Sequence, residues 1–70
     1  MKPHEFFQKF SNTPLDDRMK LVDVNNLGLM TLSDIYQRVH ELEDKMRPDV
    51  IERDKLISYA DKFWSDLLNK

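Results

Sequence analysis

The chain has 70 residues, no cysteine and a formal net charge of −2, with 34% of its residues charged. Its length allows one domain, 1–70, near the lower size at which a single core suffices. The composition excludes disulfides and thiolate metal sites and offers no general attraction to nucleic acid or anionic membrane. Met1-Lys2-Pro3-His4-Glu5 lacks an apolar signal core, and no apolar run is long enough to span a bilayer. A soluble protein in a reducing, cytoplasmic setting is the default expectation.

A short first helix is expected from Pro3 to Phe10, with Pro3 in the first turn and Phe6, Phe7 and Phe10 on one apolar face. Asn12-Thr13-Pro14 ends it. Thr13 then caps a second helix that starts at Pro14, carries Asp16 and Asp17 at the positive end of its dipole, and runs to about Asp23. Thr31 caps a third helix, with Asp34 three residues on making a capping-box-like pair. Along it Leu32, Ile35, Tyr36, Val39, Leu42 and Met46 recur at steps of three and four as one buried stripe ending before Pro48. Two readings stand for the next stretch: Val50-Ile51 as a short extended piece pairing with Leu29-Met30, or Pro48 as the first residue of a longer fourth helix. From Lys55 onward, Leu56, Ile57, Ala60, Phe63, Trp64, Leu67 and Leu68 form the wide apolar face of a last helix. The fold class predicted is all-α, a small bundle of three to four helices.

Residues Asp23 to Asp34, DVNNLGLMTLSD, carry the most specific pattern in the chain. Against D-x-[DN]-x-[DN]-G with an acid at position twelve, Asp23 fills position one, Asn25 position three, Gly28 position six and Asp34 position twelve. An ion there would draw oxygens from Asp23, Asn25, the Leu29 carbonyl, Thr31 and Asp34, while Leu27 at position five offers none. Leu15, Met19 and Val22 stand eight, four and one positions before the loop, and Met30, Ile35, Val39 and Leu42 supply apolar positions within and after it. In these residues, about 14 to 43, the chain resembles the EF-hand family, although Arg38 departs from the pattern. The resemblance implies a helix-loop-helix, a β-bridge at Met30 and a calcium loop. The missing ligand at Leu27 and the short Asp34 in place of glutamate imply weak calcium binding or none. An ordinary Asn-Asn-Leu-Gly linker between two amphipathic helices accounts for the same residues without calcium.

No enzyme is legible. His4 and His40 are far apart, His40-Glu41-Leu42-Glu43-Asp44 lacks the second histidine of H-E-x-x-H, and one glycine is too few for a phosphate loop. A helix-turn-helix over Leu21 to Val39 would expose Asp34, Gln37, Arg38 and Glu41 where phosphate contact needs clustered bases, so nucleic-acid binding is not expected. The aromatic residues remain, and Phe7, Phe10, Phe63 and Trp64 are the candidate contacts for a protein partner or a second copy. The function expected is a non-catalytic protein-binding regulator or adaptor with an apolar helical groove and no cofactor. A calcium-responsive sensor or buffer and a small transcriptional co-regulator are the alternatives.

Overall fold

A computed structural model describes residues 1–25, 28–47 and 49–69. In chain order they form α1 (Pro3–Ser11), α2 (Leu15–Arg18), β1 (Leu21–Asp23), β2 (Leu29–Thr31), α3 (Leu32–Glu43) and α4 (Val50–Leu68). The architecture is mostly helical with a two-stranded antiparallel sheet, which corrects the all-α expectation and its EF-hand-like helix-loop-helix. Among the described residues no helix is long and apolar enough to cross a membrane.

α1 follows the phenylalanine spacing. Phe6 and Phe10 are buried, Phe7 packs at their margin, and Phe10 stacks on Tyr36 with ring centroids 4.2 Å apart. Thr13 does not cap the second helix as expected. Its hydroxyl donates to the Lys9 carbonyl at 2.8 Å and accepts from the Trp64 indole N–H at 3.2 Å, so it closes α1 and ties it to α4. Arg18 holds the same corner, donating to the Thr13 and Ser11 carbonyls at 2.9 and 3.0 Å while its guanidinium lies over Phe10.

The second helix is the largest correction. It stops at Arg18 instead of reaching Asp23, and Leu15 and Met19, expected on an inner helical face, are 70% and 62% exposed. The chain from Leu21 obeys period two instead: Val22 and Val24 are buried while Leu21 and Asp23 face out. Antiparallel register sets Leu21 against Thr31, Val22 against Met30 and Asp23 against Leu29. The turn between the strands begins where Asp23 Oδ1 accepts the Asn25 N–H at 2.9 Å, and it places Asn25 at φ 60° and Gly28 at φ 82°. Asparagine and glycine are the residues that tolerate this left-handed region. Gly28→Ala meets no neighbouring atom, so its effect is backbone strain alone, and urea denaturation should show a loss of about 1–2 kcal/mol.

α3 begins as its sequence indicates. Thr31 Oγ1 accepts the Asp34 N–H at 3.0 Å and Asp34 Oδ2 accepts the Thr31 N–H at 3.3 Å, completing the capping box. Leu32, Ile35, Val39 and Leu42 are buried, but the stripe ends there: Met46 lies beyond the Asp44 cap and is wholly exposed. Arg47 precedes a proline, which disfavours helical backbone at that residue. Val50 and Ile51 form the first turn of α4, capped by Asp49 accepting the Glu52 N–H at 3.0 Å, and so do not pair with Leu29-Met30. The expectations placed on Leu27 and Pro48 fall outside the described residues. α3 and α4 share the most extensive interface. At its margin Arg53 bridges Glu43 and Asp54, and those hydrogen bonds, Glu43 foremost, hold the guanidinium above its ordinary pKa.

Candidate binding groove between the hairpin and the last helix

Because side chains alternate across a strand, one face of β1 and β2 carries Val22 and Met30 toward the core and the other carries Leu21, Asp23, Leu29 and Thr31. Leu21 and Leu29 are 61% and 63% exposed, a diagonal apolar pair on a face that nothing covers among the described residues. α4 runs beside β1 and presents Tyr59, Lys62, Phe63 and Asp66, spaced by three and four so that they share one flank. Between that flank and Leu21, Val22, Asp23 and Asn25 lies a groove of about 380 Å³.

The groove is amphipathic. Phe63 and Tyr59 are half-buried against the core and give it an apolar wall. Asp23 and Asp66 set two carboxylates against the single ammonium of Lys62, and among the described residues none of the three is in an ion pair. The local charge is therefore negative.

The four aromatic contact candidates do not form one surface. Phe63 lines the groove, whereas Phe10 and Trp64 belong to the core and Phe7 sits half-buried on another side, edge-on to Tyr36 and near His40. The candidate calcium ligands are also dispersed in role. Asp23 Oδ1 is engaged by the Asn25 amide and Asp34 Oδ2 by the Thr31 amide, while Leu29 and Thr31 lie on the second strand, across from Asp23 and Leu21. Among the described residues no three His, Asp or Glu side chains gather where they could hold a metal. Millimolar calcium should thus leave the amide NMR spectrum unchanged. Saturable shifts at Asp23, Asn25 and Asp34 in the micromolar range would contradict this.

The comparisons add no family to this geometry: no protein-family model, no curated protein and no solved structure matches the chain. Of the groove residues, sequence reasoning singled out Phe63 as a partner contact and Asp23 and Asn25 as metal ligands. It missed Leu21, Tyr59, Lys62 and Asp66. The available signal was the three-four spacing of polar residues around Phe63, which a solvated helix face shows equally well.

Proposed function

We propose that the chain is a non-catalytic protein-binding adaptor and that its contact surface is the groove between β1 and α4. The observation that carries this reading is an open strand edge lying beside the apolar wall of Tyr59 and Phe63 on α4, with Leu21 exposed at its rim. Val22, Val24 and Met30 fasten the hairpin to the core, whereas Leu21 and Leu29 face outward and add nothing to it, a placement that has a rationale if the strands serve recognition. Large apolar side chains that meet water without helping the core are characteristic of protein contacts. The groove also combines an apolar wall with a few polar groups, the usual make-up of a site that orients its ligand.

The test is selection of short random peptides against the immobilised chain, followed by amide NMR titration with a synthetic copy of each enriched peptide. Shifts clustered at residues 21–25 and 59–66 are expected. Failure to enrich any peptide, or shifts confined to the Phe7 side, would overturn the reading.

A further inference from the structure

We infer that the groove takes an extended peptide as a third strand on the open edge of β1, with a basic side chain across from Asp23 and an apolar one across from Val22. This rests on the protein-binding reading above and adds the conformation and chemistry of the partner.

The direction of the backbone groups is the first argument. Val24 donates to the Gly28 carbonyl at 2.9 Å and Leu32 to the Lys20 carbonyl at 3.3 Å, so the ladder between the strands uses residues 20, 22 and 24 of the first segment. In an antiparallel pair the residues between such positions turn their N–H and C=O groups the other way. Leu21 and Asp23 therefore aim theirs out of the sheet, along the edge opposite β2, and among the described residues no backbone group meets them. An extended chain laid on that edge gains main-chain hydrogen bonds from both residues.

The second argument is the chemistry on either side of the added strand. A residue opposite Val22 points to the inner face of the sheet, as Val22 does, and reaches the Phe63 and Tyr59 wall. Residues opposite Leu21 and Asp23 point to the outer face, where one meets a leucine and the other a carboxylate. Asp23 and Asp66 outnumber Lys62 in the groove, so an arginine or lysine opposite Asp23 is matched and an acid there is repelled.

A second copy of the chain fits this edge poorly. Because only residues 21 and 23 point outward, antiparallel pairing of two β1 strands centres on Leu21, Val22 or Asp23. It then sets Asp23 against Met19, Leu21 or Asp23 of the other copy. None of these registers supplies a base, and the last opposes two carboxylates.

The probes are a short capped peptide, Thr-Arg-Val-Val-Thr, its Arg-to-Glu version, and a version N-methylated at the arginine and the second valine, whose amides face β1. Titrated against the whole chain, the parent peptide should shift amides at residues 21–23 and 59–66. N-methylation should weaken it by at least about tenfold through lost main-chain bonds, and the glutamate version by a comparable factor of about ten. Asp23→Asn, which keeps the oxygen that Asn25 uses, and Asp66→Asn should each weaken the parent peptide while leaving the circular dichroism spectrum unchanged. Equal binding of the N-methylated or glutamate peptide, shifts elsewhere, or no shift at millimolar peptide overturns strand addition. So do concentration-dependent shifts of β1 without peptide, which mark self-association instead. If these probes fail while selected library peptides still bind the chain, the protein-binding reading stands with another binding mode. If the library also returns nothing, that reading falls too.

Discussion

Replacing Trp64 by alanine is expected to remove about half of the chain's stability and to lower its urea midpoint accordingly. The indole is only 4% exposed and sits 5.7 Å from the Phe6 ring. Its N–H donates to Thr13 across 51 positions of sequence, and the Lys9 ammonium lies over its face at 5.1 Å. Truncating a buried tryptophan costs roughly 3–5 kcal/mol, and it also leaves the Thr13 hydroxyl, itself buried, without one of its partners. A domain of this length has a total stability of only about 4–10 kcal/mol, so the loss takes a large share of it. Trp64→Phe separates the two contributions: it keeps most of the packing and drops the hydrogen bond, for an expected loss of about 1–2 kcal/mol. Urea denaturation followed by far-ultraviolet circular dichroism reads both variants without relying on indole fluorescence. An alanine variant that unfolds at the midpoint of the parent would show that Trp64 is a surface residue after all. Phe63→Ala is the informative contrast, because Phe63 is half-buried at the groove, and its removal strips the apolar wall while leaving the core residues around Phe6 in place.

The difference between Phe63 and Trp64 also marks how far the sequence could be read. Periodicity located α1, most of α3 and α4, because phenylalanine, leucine and isoleucine at three-four spacing leave one face to bury. The Thr31 and Asp34 pair was legible because a capping box depends on four consecutive residues and nothing distant. The hairpin was not legible. Leu15, Met19 and Val22 fit a helical face as well as they fit an exposed turn and one strand position, and the competing signal, Val22 and Val24 alternating with Leu21 and Asp23, is too short to outweigh it. What decides the matter is tertiary: the Lys20 carbonyl meets the Leu32 amide, and Val22 and Val24 find the core. The groove was invisible for the same reason, since it is assembled from residues 21–25 and 59–66, which only the packing of α4 beside β1 brings together.

Two proline substitutions test that correction and the edge argument at once. Val22 donates into the ladder with Met30 and its side chain is buried. Val22→Pro removes the donor, strands the Met30 carbonyl and loosens the strand, for an expected destabilisation of roughly 2–4 kcal/mol. Leu21 is the first residue of β1, its amide turns away from β2, and its side chain is exposed. Leu21→Pro occupies the position in a strand that tolerates proline best, so its stability should stay within about 1 kcal/mol of the parent. The adjacent positions thus diverge by more than the uncertainty of a denaturation curve. A helix running to Asp23 predicts the opposite, since proline at either position would then remove an interior hydrogen bond and cost about 3 kcal/mol each time. Equal damage at both positions would therefore restore the helical reading of this segment. The tolerated variant carries a second expectation: Leu21→Pro deletes an outward-facing donor that an added strand uses, so it should fold and yet bind the arginine-bearing peptide more weakly than the parent chain does.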